Sequence, residues 1–182
     1  MKLNIGGGYK RLDGYKNIDH DQLTQPDYCF NLETETWPFE DNSIEEIRAH
    51  HILEHIGEGF FHVIKELYRV CQDSAIIDIA VPHHRHENYY GDPTHRRPIT
   101  VNMLRQFSKK YCEWHTENHE SSSGFAPRLN VDFEVADYSF SVDDDFQHLA
   151  TEGKYEELDT LSKRFNNVYK DVFIKLLVVK NG

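Results

Sequence analysis

The chain has 182 residues, 38% of them hydrophobic and 13% aromatic, with a formal net charge of −11. This is enough core-forming material for one domain over 1–182, and it excludes both a disordered chain and a second full domain. The charge opposes long-range attraction to phosphate backbones and so excludes nucleic acid as the expected partner, local Arg96-Arg97 and Lys109-Lys110 clusters notwithstanding.

No apolar run approaches the roughly 20 residues that span a bilayer, and the first residues lack the zones of a signal peptide. A soluble, cytoplasmic protein is expected. Cys29, Cys71 and Cys112 are odd in number and dispersed, which fits buried reduced thiols rather than a disulfide framework. The oligomeric state, including a homodimer, is left open.

In chain order, Lys2 to Ile5 reads as a strand ended by Gly6, and Tyr15 to Ile18 as a second before Asp19. The intervening stretch is shorter than the dozen or more residues of a normal parallel crossover, so any helix there has a turn or two. "NLETETWPFEDNS" is an acidic loop. "SIEEIRAHHILEHI" fits either a helix or, around Ile47 to His50, a short buried strand. Phe60, Ile64, Leu67, Tyr68 and Cys71 fall on one helix face, and "AIIDIAVP" is a central strand stopped by Pro82. A His-rich loop runs from His83 to Pro98.

Thr100 is placed to cap a helix carrying Val101, Leu104, Phe107, Ser108 and Tyr111. "ESSSGFAP" reads as a loop. The apolar alternation changes phase between Val135 and Tyr138, which predicts a bulge near Ala136-Asp137. Tyr155, Leu158, Leu161 and Phe165 mark a last helix, and Val172 to Val179 a last strand. The pattern is α/β: a doubly wound, mostly parallel sheet with an antiparallel C-terminal edge.

Three consecutive glycines behind the first strand remove Cβ atoms where a ligand can touch the backbone, at the strand end where open α/β sheets bind ligands. Asp19, ending the second strand, suits a ribose. The spacing excludes NAD: there is no G-x-G-x-x-G, and the acid follows Gly6 by 13 residues in place of about 20. A nucleoside without phosphates needs neither.

His83, His84, His86, Glu87, Asp92 and His95 are metal-ligand types, but without a known ligand spacing, so no metal set is assigned. The loop that carries them follows the fifth strand at the same sheet edge as the glycines. His95 or Asp92 is placed there to deprotonate an acceptor hydroxyl, while Arg96 and Arg97 either bind an anionic acceptor or form surface salt bridges.

"LNIGGG", "GYKNIDHD", "LETETWPFEDNSIEEIRAHHILEHI", "ELYRVC" and "AIIDIAVP", in this order, resemble the S-adenosylmethionine-dependent methyltransferases of the methyltransferase-11 type over roughly Lys2 to Pro98. "GDPTHRRPIT" resembles a segment of one bacterial and phage branch. The resemblance implies a Rossmann-like methyltransferase fold, S-adenosylmethionine as cofactor, and a small-molecule or sugar-like acceptor. By position it implies that Gly6, Gly7 and Gly8 line the methionine part and Asp19 binds the ribose. Leu32 and Glu33 border the adenine, and His50 and His51 edge the methyl-donor pocket.

His95, Asp92 and His51 are then the candidate catalytic residues. Leu53, Glu54 and His55 begin the next helix, and Glu54-His55 is assigned to that helix start and its packing. The chain departs from the family in four places. Asn4 stands where an Asp or Glu is usual and would offer the cofactor's ammonium an amide; no helix precedes the first strand; the first crossover is shortened; and "QDSA" replaces a Pro-Gly-Gly turn. A nucleoside- or partner-binding domain without turnover, and a metal enzyme built on the His loop, remain as alternatives.

Overall fold

A computed structural model describes residues 1–180. Seven strands form one sheet: β1 (Lys2–Ile5), β2 (Tyr15–Asp19), β3 (Tyr28–Cys29), β4 (Ile44–His50), β5 (Cys71–Pro82), β6 (Phe133–Val142) and β7 (Tyr169–Val178). Their spatial order is β3-β2-β1-β4-β5-β7-β6. The pairs from β3 to β5 are parallel, and β7 lies antiparallel between β5 and β6. This is the expected Rossmann-like order, reversing direction of growth at β1 and β4. The helices are α1 (Phe60–Val70), α2 (Glu87–Tyr90), α3 (Val101–Arg105), α4 (Lys109–Glu117), α5 (Phe125–Leu129), α6 (Gln147–Thr151) and α7 (Tyr155–Ser162).

The pleat separates two unlike faces. Leu3, Ile5, Ile47, Ala49, Ile77, Ile79, Ile174 and Leu176 are buried on one, in a single core with Trp37, Phe60, Ile64, Leu67, Leu104 and Phe107. On the other, one row of cross-strand neighbours runs Asn17, Asn4, Arg48, Asp78, Lys175 and Asp137 across six strands. Opposite charges stand side by side in that row from Arg48 to Asp137, which favours the pairing. Its covering over Asn4 and Asn17 is a loop, because the β1–β2 crossover forms no helix at all.

Local chemistry accounts for the remaining elements. Helix α1 has the expected apolar face and runs directly into β5 at Cys71. Arg69 on α1 bonds Glu66, Asp41 and the carbonyls of Trp37 and Phe39, while Glu66 accepts from the Trp37 N–H, so the loop before β4 is fastened to α1. The ambiguous segment resolves as strand to His50, because Ile44, Ile47 and Ala49 bury into the sheet. Leu53–His55 is one 3₁₀ turn, not the start of the next helix, which begins only at Phe60.

The single helix expected from Val101 to Tyr111 is two, since the Ser108 hydroxyl accepts the Tyr111 N–H and caps α4 instead of continuing α3. Part of the "ESSSGFAP" loop is helical, α5, with Phe125 packed on Phe61 and Phe107. Phe165 lies beyond the end of α7 and is exposed. The register shift between Val135 and Asp137 is the expected bulge. Helices α6 and α7 build a small second cluster, Leu149 and Leu158 with Val168 and Tyr169. Among the described residues no helix is long and apolar enough to cross a membrane.

Candidate functional site

The carboxyl ends of β1 to β4 open onto one cavity of about 230 Å³, lined by Gly6, Asp19, His20, Phe30, Asn31, Leu32, Glu33, Ile52, His55 and Ile56. Gly6, Asp19, Leu32 and Glu33 are thus brought together as the sequence places them. Gly6 has φ +61, and a Cβ there would meet the Ile52 side chain at 2.6 Å, so only glycine keeps this wall open. A larger cleft of about 400 Å³ beside α4, lined by Lys109, Cys112, Glu113 and Thr116 among others, contains no strand-end residue.

Asp19 is held ready. Its Oδ2 accepts the Gly8 N–H at 2.9 Å and its Oδ1 the Asp21 N–H at 3.0 Å. A carboxylate offers about four lone-pair sites, so each oxygen keeps capacity for one further donor, as two vicinal hydroxyls require. Glu33 accepts the Gly59 N–H at 2.9 Å, satisfying an orphan donor at the start of α1. Gly59 itself has no room for a Cβ, which would stand 2.5 Å from the Glu33 carbonyl oxygen.

Other residues singled out from the sequence are placed elsewhere. Asn4 is 1% exposed and does not line the cavity; its Nδ2 donates to Asn17 at 2.7 Å and to the Lys10 carbonyl, and its Oδ1 accepts from Arg48. Its amide is therefore committed to holding the crossover loop on the sheet. Gly7 backs this pair: a Cβ would lie 1.8 Å from the Asn17 Oδ1. Gly8 contributes its N–H to Asp19 rather than a cavity wall. His50 follows the pleat to the polar face and bonds Asp78 at 2.7 Å, a bond that holds the Asp78 carboxyl below its ordinary range.

The His83–His95 loop is dispersed by its partners. His83 is buried against His84, Phe140 and Tyr169, and burial pushes it down to about 4. His86 bonds Asp143 at 2.9 Å. Arg97 is tied to the carbonyls of Ile56 and Gly57 and lies over the Phe60 ring, so it fastens the loop and does not face an acceptor.

His95 alone of that set joins a new group. The Arg96 N–H donates to the Glu54 carbonyl at 2.7 Å, which seats this loop on the turn after β4. Glu54, His55 and His95 then each present one ligand-type atom within 4.8 Å of the other two. Glu54 is 0% exposed and neither of its carboxylate oxygens has a hydrogen-bond partner. His51, in a left-handed conformation with φ 54, places Nδ1 3.6 Å from Glu54 Oε1; its ring is 54% exposed and the Glu54 carboxylate raises its pKa.

Asp92 lies beside the group: its Oδ2 is 4.0 Å from His95 Nε2, and its Oδ1 accepts at 2.6 Å from the Thr94 hydroxyl, which lies 2.8 Å from His55 Nδ1. The adjacency of Glu54 and His55 behind His51 in "HHILEH" is visible in the sequence; their partner His95, from a distant loop, is not.

Comparison with protein-family models and with curated proteins finds no match. Solved structures are similar. An S-adenosylmethionine-dependent methyltransferase from Archaeoglobus fulgidus superposes with a TM-score of 0.62 at 16% identity, over 97% of this chain and 85% of that one. A methyltransferase of the same kind from Methanosarcina mazei gives 0.55 at 14%, over 99% and 92%. The cyclase SpnF gives 0.57 at 14%, over 99% and 75%. At such identities the likeness establishes the fold, which is the class I, Rossmann-like fold of these methyltransferases, and one fold hosts several chemistries.

Proposed function

We propose that this chain binds S-adenosylmethionine in the cavity at the ends of β1 to β4 and transfers its methyl group to a small-molecule hydroxyl. The observation that carries the reading is the convergence of Gly6, Asp19, Leu32 and Glu33 on that one cavity. Asp19 receives the ribose hydroxyls on its spare lone pairs, Leu32 and Phe30 offer apolar surface to the adenine, and Gly6 admits the chain of the methionine part. When bound, the cofactor supplies a sulfonium methyl that leaves sulfur, with its bonding pair retained there, as the acceptor oxygen bonds to carbon.

His51 takes the acceptor's proton on its exposed ring, with the Glu54 carboxylate behind it to stabilise the imidazolium. His95 shapes the acceptor side of the rim, and Asp92 is a positioning residue that acts through Thr94 on His55. A cytoplasmic setting accords with this chemistry.

One observation favours binding without turnover: Asn4 is buried away from the cavity, its amide bonded to Lys10, Asn17 and Arg48, and leaves the cofactor's ammonium without a partner from β1. Calorimetry with S-adenosylmethionine and S-adenosylhomocysteine, beside product analysis with candidate hydroxyl acceptors, separates the two readings. Binding of both is expected, weakened in Asp19→Ala by about 1.5–3 kcal/mol for the lost charged hydrogen bonds. Binding of neither at millimolar concentration overturns the proposal; tight binding with no methylated product from any acceptor leaves the second reading.

A further inference from the structure

We infer that Glu54, His55 and His95 form a binding site for a zinc-type divalent cation, and that the ion activates the acceptor hydroxyl; the second half rests on the methyl-transfer reading above, the first does not. A buried carboxylate with no donor on either oxygen is costly, and in folded proteins such a group is paired or coordinates a metal. Glu54 has no donor within hydrogen-bond distance, and the His51 ring, at 3.6 Å, is outside it.

The hydrogen bonds around the two imidazoles settle which nitrogen each offers. His95 Nδ1 lies 2.7 Å from the Tyr89 carbonyl, an acceptor only, so Nδ1 carries the proton. The Thr94 hydroxyl spends its single proton on Asp92, so it accepts from His55 Nδ1. Both rings are thereby left with a lone pair on Nε2. Each ligand histidine thus has the outer partner that metal-bound histidines have, a carbonyl for one and a carboxylate acting through a hydroxyl for the other.

Ligand atoms on a shared tetrahedral zinc, each at about 2.0–2.2 Å, stand roughly 3.3–3.6 Å apart, so an ion draws this trio, now within 4.8 Å, together by about 1 Å through side-chain rotation. Two imidazoles and one carboxylate suit zinc or ferrous iron and disfavour calcium and magnesium, which prefer oxygen throughout. Three protein ligands leave a coordination position open. Because His55 also lines the cavity, that position adjoins the proposed methyl donor. A hydroxyl placed on the ion would ionise more readily, its proton being released to solvent.

The test uses the full chain made without a histidine tag and stripped with a chelator. Titration with zinc alone, in the absence of S-adenosylmethionine, should give one ion per chain, and cobalt should give the visible absorption of a low-coordinate site. Glu54→Gln and His95→Ala should each lower zinc affinity at least 100-fold. Asp92→Ala, acting from outside the ligand set, should lower it about 10–100-fold. His148→Ala, on the exposed start of α6, should leave it unchanged. Should Glu54→Gln fail to fold, His55→Ala serves in its place, folding being checked by circular dichroism.

A stoichiometry near zero, or an affinity indifferent to Glu54, His55 and His95, overturns the site. Because the zinc titration contains no cofactor, and the cofactor titration uses stripped protein, failure of one leaves the other standing.

Discussion

The corner after β2 and the corner after β4 each carry a carboxylate at the same sheet edge, and the fold treats them in opposite ways. Asp19 is met by two backbone N–H groups, one from the glycine loop and one from its own turn. Glu54 is buried more deeply and meets none. The first corner is a finished cradle whose local structure depends on its acid. At the second corner the acid is buried with no donor on either oxygen, a costly arrangement.

The largest effect expected is at the base of the first corner. Gly7→Ala drives a methyl into the Asn4–Asn17 pair and should cost about 3 kcal/mol, measured by urea unfolding. Asp19→Ala leaves two amides without acceptors and should lower stability by about 1–3 kcal/mol. Glu54→Met should do the reverse in metal-free protein, raising stability by about 1–2 kcal/mol as a buried carboxyl with no hydrogen bond gives way to packing. If Asp19 and Glu54 variants shift the unfolding midpoint in the same direction, the contrast between the corners is wrong.

The smallest change serves as a control. His83 is depressed to about 4 from 6.5 by burial, so the unfolded chain binds the extra proton between those values and stability falls as pH drops through that window. The loss is roughly 1 kcal/mol over the first unit below 6.5. It should persist in the Asp19 variant and shrink in His83→Asn, where His84, also pushed down by burial, keeps part of it, read from midpoints at several pH values.

Much of this was legible in the residues because it is local. A glycine run after an apolar strand and an acid ending the next strand specify a corner on their own, whereas Leu32 and Glu33 are placed only by the family resemblance. The bulge at Ala136-Asp137 was readable from a phase change in alternation. What was not legible depends on partners remote in sequence. Asn4 looks available until Asn17, Lys10 and Arg48 claim its amide. His50 looks like a pocket residue until the pleat turns it toward Asp78. Glu54 and His55 look like helix-start residues until a loop some forty positions later brings His95 against them. Ser108, similarly, reads as a helix position by spacing, and only its hydroxyl's choice of the Tyr111 N–H breaks the helix in two.

The polar row from Asn17 to Asp137 has one more consequence. A sheet normally needs a second helical blanket because its outer side chains are greasy. Here amides and alternating charges lie athwart the strands and make that side wettable, so a short loop over Asn4 and Asn17 is covering enough. That side of the sheet therefore presents no sticky plane.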